Sequence, residues 1–325
     1  MTVAQNYATF LSIITCPQCG TPVTQKDSDT LICSGNCSCS FPIYHGIPVM
    51  IHEKNPVFSS ADFIHKEGGD LFFKPTQNKF VQLLQSIRPD ITLNSASKKN
   101  YLHIAELLKS IDAPRILIIG GSVDGNGIKH LKETLPANAV LVESDVAHGP
   151  NTNIILDSHA IPFQDNSFDL IIAQAVLEHV LDPYRCVEEI FRVLKEDGLV
   201  YAETPFMQQV HGGKYDFHRF SPLGHRRLFR KFTAVDAGIV AGPGSSLAWS
   251  LRYFITSFAP NKQIDRILSY GADFLVFWLK YFDYLLNQHK GASDAACGLY
   301  FLGQKKGDYV LSDADLLKQY NGYRF

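Results

Sequence analysis

Five of the seven cysteines lie between Cys16 and Cys39, while Cys186 and Cys297 stand alone. Cys16-Pro17-Gln18-Cys19-Gly20 forms a knuckle in which two thiolates on a tight turn can grip one face of a zinc ion. Cys33-Ser34-Gly35-Asn36-Cys37 offers a second pair, with Cys39 as a spare. Four thiolates close a tetrahedral structural site and leave no open position for chemistry, so a catalytic zinc is not expected here. An odd cysteine count with two isolated members argues against a secreted disulfide framework.

The second group with chemical potential follows an apolar run. Ile116-Leu117-Ile118-Ile119 leads into Gly120-Gly121-Ser122-Val123-Asp124-Gly125-Asn126-Gly127, a strand opening on a glycine loop. Glycines there let backbone approach a ligand closely. Gly125 is followed by Asn126-Gly127 rather than Lys and Ser or Thr, which excludes a phosphate-binding P-loop. Serine at position 122, where a second glycine would fall, departs from the dinucleotide fingerprint. Glu143 and Asp145 lie about twenty residues past the loop, where an acid can accept hydrogen bonds from both hydroxyls of a ribose. Asp157, at the end of a third short apolar run, could accept from an adenine amino group. Each acid alone is an ordinary solvated strand end; their placement after successive strands points to a nucleoside-bearing ligand.

The elements that must position these residues alternate. An amphipathic helix is predicted over Tyr101 to Ile111, with Ile104, Leu107, Leu108 and Ile111 on one face. Strands are predicted at Arg115–Ile119, Ala139–Val142, Ile154–Leu156, Leu170–Ala173 and Leu199–Glu203, with helices at Ile128–Leu135 and Pro183–Leu194. Phe232–Val240 and Cys297–Gly303 read as two further strands. This pattern predicts an α/β, Rossmann-like sheet of seven mostly parallel strands with helices on both faces, plus a small N-terminal zinc ribbon. Ligands of such sheets bind at the carboxyl ends of the strands. The boundaries read as a ribbon over 1–53, a helical linker over 54–98 and the large domain over 99–325, with insertions at 206–230 and 247–293. Within the linker, Phe80, Leu83, Leu84 and Ile87 recur at helical spacing and stop before Pro89.

Composition bounds the rest. Hydrophobic residues make up 46% and charged residues 19%, enough to bury a sizeable core. The formal net charge of −2 provides no overall basic field for nucleic acid, which speaks against it as a partner. Met1 to Ile14 lacks the pattern of a secretory signal, and no apolar run is long enough for a transmembrane span, so a cytoplasmic location is expected. The aromatic stretch between Leu247 and Gln288 suits core packing, a lid, a homodimer interface or peripheral membrane contact.

Residues 115–203 resemble class I S-adenosylmethionine-dependent methyltransferases. The resemblance rests on the order of glycine loop, strand-end acid, Asp157…Pro162-Phe163, Ser167-Phe168-Asp169, Leu177-Glu178-His179 and Arg192-Val193-Leu194-Lys195-Glu196-Asp197-Gly198. It implies that Gly120, Gly121 and Gly125 contact the methionyl and ribose part of the cofactor. Asp145 or Glu143 would then take the ribose, Asp157 and Ser158 the adenine, and Gln174 the start of the fourth-strand loop. Most members carry an acid two residues before the first glycine; here that position is Ile118.

Residues 13–51 are similar to the zinc-ribbon domain of the activator subunit shared by tRNA and translation-factor methyltransferases. The four cysteines and the tail Phe41-Pro42-Ile43-Tyr44-His45-Gly46-Ile47-Pro48-Val49-Met50 carry that similarity. Its spacing favours Cys37 over Cys39 as fourth ligand, and it implies that the ribbon contacts the large domain or the substrate.

A methyl sulfonium is already electrophilic, so the protein must align an acceptor and exclude water; an alcohol acceptor also benefits from a general base. The candidates follow the fifth strand: Glu203, His211, Tyr215, Asp216, His218 and Arg219, of which His211, His218 and Asp216 are the expected catalytic set. Tyr215 to Pro222 resembles a segment of relatives that occur with polysaccharide-building enzymes, which implies a glycan or other small hydroxyl-bearing acceptor. An RNA or protein methyltransferase using the ribbon for recognition, or a non-catalytic protein that kept the fold, are the alternatives; Ile118 motivates the last.

Overall fold

The structure, a computed structural model, describes residues 7–52, 57–58 and 86–322. The helical pattern expected at Phe80, Leu83 and Leu84 lies outside these residues, as does most of the expected linker.

The chain begins with a small four-stranded antiparallel sheet, β1 (Val23–Asp27), β2 (Thr30–Cys33), β3 (Ser40–Tyr44) and β4 (Ile47–Pro48). Helix α1 (Ser97–Leu108) then leads into β5 (Arg115–Ile119), α2 (Ile128–Lys132), β6 (Val140–Asp145), β7 (Ile154–Ile155) and β8 (Phe168–Gln174). Next come α3 (Pro183–Val193), β9 (Leu194–Pro205), α4 (Pro222–Leu228) and β10 (Phe232–Ala241). Helices α5 (Pro243–Thr256), α6 (Lys262–Val276) and α7 (Asp283–Leu286) precede β11 (Gly298–Lys305) and α8 (Asp313–Leu317).

The seven large-domain strands form one sheet in the order β10-β11-β9-β8-β5-β6-β7. The β9-β8-β5-β6-β7 pairings are parallel, while β11 runs antiparallel to both β9 and β10. The mostly parallel α/β sheet expected from the sequence is therefore present.

Alternation along the central strands explains why they read as continuous apolar runs. Leu117, Ile119, Ile171, Ala173, Val200 and Ala202 face the layer of α3 and the ribbon. Ile116, Ile118, Leu170, Ile172, Leu199 and Tyr201 face the layer of α1 and α2. A parallel strand covered on both sides has no polar face to show.

Motif residues hold this frame together. Lys195 Nζ donates to both oxygens of Asp169, at 2.9 and 2.8 Å, and Asp169 Oδ2 also accepts the Arg115 N–H. Arg192 on α3 donates to the carbonyls of Phe163 and Ile161 at 2.8 and 2.7 Å, anchoring the loop that follows β7.

The ribbon docks on the β7 edge of the large sheet. Val49 pairs in parallel with Ile155, and the Met50 N–H donates to the Ile155 carbonyl at 2.8 Å. Ile14 bridges to Phe163, and Phe10 meets the Phe163 ring edge-on at 6.2 Å between centroids. Ribbon residues Leu31 and Phe41 belong to the same buried cluster as Phe163, Phe168 and Ile190 of the large domain.

The 247–288 stretch is a layer of helices rather than one. Ala259-Pro260-Asn261 divides it, and Asn261 caps α6 by accepting the Gln263 and Ile264 N–H groups. Ala248, Val276 and Leu279 pack inward with Ile91, while Phe254, Phe258, Phe274, Leu275 and Tyr284 are exposed. Among the described residues no helix is long and apolar enough to cross a membrane.

Candidate active site

The carboxyl ends of β5, β6, β7 and β8 open on a cleft of about 400 Å³. Its base is Ile119, Gly120 and Ser122 after β5, with Asp145 ending β6 and Asp157 and Ser158 following β7. Gly120 adopts φ +74, and a Cβ there would lie 2.5 Å from Val176 Cγ2, so the turn accepts no side chain. Asp145 Oδ2 accepts the Ser122 N–H at 3.3 Å and Oδ1 the Ala147 N–H at 3.1 Å. Burial raises the Asp145 pKa, and these hydrogen bonds only partly counter it. Asp157 Oδ1 accepts both the His159 N–H and its ring Nδ1–H, at 2.9 and 2.6 Å, while His159 Nε2 accepts the Asp182 N–H.

Of the expected cofactor residues, Gly120, Asp145, Asp157 and Ser158 line the cleft. Glu143 does not: Lys132 pairs with it at 2.5 Å, which turns its carboxylate toward α2. Gly121 packs against Ile118 and Glu143, and its N–H donates to the Ser144 carbonyl. Gly125 and Gln174 lie against each other outside the cleft lining, where a Cβ on Gly125 would lie 2.1 Å from Gln174 Oε1. Gln174 in turn accepts from Tyr101 OH and donates to the Asn126 carbonyl and to Glu203. Glu203 is locked by Ser97, Tyr201 and Gln174, and burial raises its pKa.

The opposite wall carries His179, His211, Tyr215 and Phe217. Directly behind the two histidines lies Glu178, wholly buried, with neither carboxyl oxygen hydrogen-bonded among the described residues. His211 Nε2 is 3.5 Å and His179 Nε2 3.8 Å from Glu178 Oε1. Burial draws the His211 pKa down, but the facing Glu178 outweighs it and the net shift is upward. Ala175, at φ 55, turns the chain off β8 so that Glu178 falls beneath this wall.

Two expected catalytic residues serve this wall from outside it. Asp216 accepts the backbone N–H groups of His211 and Gly212 and pairs with Arg219. Burial pushes its pKa up, but the Arg219 guanidinium and the two N–H groups outweigh it and hold the carboxyl well below the usual carboxylate range. A carboxylate so engaged is a poor base; it orders the segment that carries His211. His218 Nε2 donates to the Leu181 carbonyl at 3.2 Å and its ring stacks on Phe220, which removes it from the cleft lining.

In the ribbon the four expected thiols converge. Cys16–Cys37, Cys19–Cys33 and Cys19–Cys37 sulfurs are 3.6, 3.4 and 3.4 Å apart, and all four lie within 4.8 Å of one another. Cys39 instead donates to Gln18 Oε1 at 2.9 Å.

Residues 121–202 match the family model described as a methyltransferase domain. That match covers about a quarter of the chain. Curated relatives align with it over limited stretches. The chain is 41% identical over 58 residues to the mouse (Mus musculus) protein named arginine-hydroxylase NDUFAF5, mitochondrial, covering 18% of this chain and 16% of that protein. It is 27% identical over 168 residues to the glycine/sarcosine/dimethylglycine N-methyltransferase of Actinopolyspora halophila, covering 46% and 29%. It is 29% identical over 134 residues to the ubiquinone/menaquinone biosynthesis C-methyltransferase UbiE of Xylella fastidiosa, covering 40% and 50%. The chain thus spans half or less of the length of these relatives. Among solved structures, a Haemonchus contortus phosphoethanolamine N-methyltransferase 2 is similar at 16% identity and TM-score 0.41, covering 64% of this chain and 53% of that one. The [4+2]-cyclase SpnF is similar at 13% identity and TM-score 0.37, covering 70% and 91%.

The apposition of Glu178 with His211 was not visible in the sequence. The two are 33 positions apart and share no spacing rule. Phe58, stacked on Tyr215 at 6.4 Å between centroids, likewise gave no signal.

Proposed function

We propose that the chain is an S-adenosylmethionine-dependent methyltransferase that O-methylates a hydroxyl-bearing acceptor, such as a glycan, by direct in-line transfer. One observation carries this reading: Asp145 ends one parallel strand and Asp157 follows the next on the same cleft, which His179 and His211 also line. Asp145 and Asp157 would bind the ribose and adenine. The Gly120 turn leaves room for the methionyl part. When bound, the cofactor supplies a methyl group on a positively charged sulfur. The protein's task is then to hold the acceptor oxygen in line, exclude water and let the acceptor's proton leave. His179 and His211 line the part of the cleft from which that proton would leave.

Structural zinc at Cys16, Cys19, Cys33 and Cys37 is supported by the convergence of four thiols, a donor set suited to a closed tetrahedral site. Cysteines gathered for metal binding rather than disulfide pairing support a reducing, cytoplasmic setting. The exposed rings of Phe254, Phe258 and Phe274 support a role for 247–288 as a surface for a second copy or a membrane face rather than a lid, since none of its residues lines the cleft.

Calorimetry with S-adenosylmethionine tests the reading. Wild type should bind, and Asp145→Ala should bind at least about tenfold more weakly, the loss expected for hydrogen bonds to a charged group. No heat from wild type at high micromolar cofactor would favour a non-catalytic protein. Ile118 favours that second reading, since it packs in the apolar layer against α1 at the position where the resemblance to most methyltransferases implies an acid.

A further inference from the structure

The wall opposite Asp145 has the makings of a metal site distinct from the ribbon. We propose that Glu178, His179 and His211 bind one divalent transition-metal ion, and that this ion takes the acceptor's hydroxyl oxygen. This deepens the methyltransferase reading and rests on it for the second half.

Three observations converge. First, Glu178 is 0% exposed and neither oxygen has a hydrogen-bond partner among the described residues. A buried carboxyl group faced only by imidazole nitrogens at 3.5 and 3.8 Å is costly, and a bound cation offsets that cost. Second, the two histidines are oriented as ligands. His179 Nδ1–H donates to the Tyr215 carbonyl at 2.8 Å and His211 Nδ1–H to the Gln209 carbonyl at 3.3 Å. Each ring therefore turns its Nε2 toward Glu178, and backbone partners of this kind are what fix metal-binding imidazoles. Third, the spacing fits. The Nε2 atoms lie 3.8 and 3.5 Å from Glu178 Oε1, and all three donor atoms lie within 4.8 Å of one another. Bonds of about 2.0–2.2 Å to nitrogen and oxygen need donor atoms about 3–3.5 Å apart on a tetrahedral or octahedral edge, so a small closure of the loop suffices.

The neighbourhood enforces the arrangement. A Cβ on Gly212 would lie 2.4 Å from His179 Cε1, so only glycine lets the 211–212 segment cross that ring. Arg219 and Asp216 brace the same segment, and Trp249 backs the His211 ring edge-on at 6.3 Å between centroids.

Donor chemistry selects the ion. Two imidazoles and one carboxylate suit zinc, manganese, iron, cobalt or nickel rather than magnesium or calcium, which favour oxygen. Three protein donors also leave positions open, and both histidines line the cleft. An acceptor hydroxyl bound there gives up its proton to water more readily. As its O–C bond to the methyl forms, the S–C bond breaks, and the electron pair stays on sulfur as a neutral thioether.

The test uses the full chain with ribbon zinc in place, titrated with Mn²⁺ and Co²⁺ by calorimetry, alongside separate titrations with S-adenosylmethionine. Wild type should bind one further equivalent. Glu178→Gln and His211→Ala should each weaken that binding about tenfold or more, with cofactor affinity changed less than about threefold. Glu178→Gln keeps the buried volume and His211→Ala alters a partly exposed loop; an unchanged melting transition identifies the variant whose metal affinity is read. Absence of the extra equivalent in wild type, or unchanged metal affinity in both variants, overturns the metal site. Cofactor binding without metal binding would sink this inference alone. Metal binding without cofactor binding would sink the methyltransferase reading and leave the metal site standing.

Discussion

Arg219 and Asp216 form a two-pronged ion pair whose carboxylate also receives the backbone N–H of His211. The pair fixes the loop after β9 without facing the cleft. Asp216→Asn keeps the shape and removes the charge, so His211 should lose its register while the core stays intact. We expect methyl transfer to drop by about tenfold or more, because small misplacements of a reacting group are costly. Cofactor affinity should stay within about threefold. Equal losses in cofactor affinity and turnover would show that the pair supports the whole cleft instead.

Gly120 gives a second prediction. Its φ of +74 and the 2.5 Å that would separate an added methyl from Val176 Cγ2 both oppose alanine. Left-handed backbone costs a non-glycine residue about 1–2 kcal/mol, before any displacement of Val176. Gly120→Ala should lower stability by at least that amount in urea unfolding and weaken cofactor binding. Unchanged cofactor affinity would remove this turn from the binding site.

His225 sets a pH limit on the fold. It is buried among Phe220, Phe229 and Phe301, and burial, assisted by the Arg226 charge, pushes its pKa down to about 3. The unfolded chain takes up this proton near the ordinary value of about 6.5, while the native state resists it until far lower pH. Between those values the unfolded state holds more protons, so stability is intact above about pH 6.5 and falls as pH drops, by at most about 1.4 kcal/mol per unit. His225→Phe should flatten that loss between pH 7 and 5 in urea titrations. Identical pH slopes for wild type and variant would refute the assignment.

The zinc proposed for the four ribbon thiols predicts the outcome of chelation. Leu31 and Phe41 share a buried cluster with Phe163 and Phe168, so the two parts should melt as one. Chelation, or Cys33→Ser with Cys37→Ser, should lower the melting temperature of the entire chain in a single calorimetric transition. Two transitions, with the higher one unmoved, would mean that the ribbon folds independently.

How far the sequence reached depended on the kind of contact. The strand at Arg115–Ile119 was read to the residue, because burial on both faces leaves an unmistakable apolar run. The fifth strand was read short: β9 begins at Leu194, where charged Lys195 and Glu196 masked the pairing of Leu194 with Phe168. Glu143 and Asp145 were equivalent candidates in the sequence, since both end the same strand; Lys132, brought over by α2, engages Glu143, while Asp145 lines the cleft. His218 and Asp216 looked as reactive as His211 because residue type shows nothing about which groups a loop spends on its own folding. The Glu178–His211 contact depends on the path of that loop, and no local spacing encodes it.

The pairing of Val49 with Ile155 has a further consequence. Ribbon and sheet belong to one polypeptide, so their association is first-order. Dilution cannot part them, and no excess of a separate subunit is needed to keep the β7 edge occupied. An edge held this way is also denied to the exposed strands of neighbouring molecules, at any concentration of the chain.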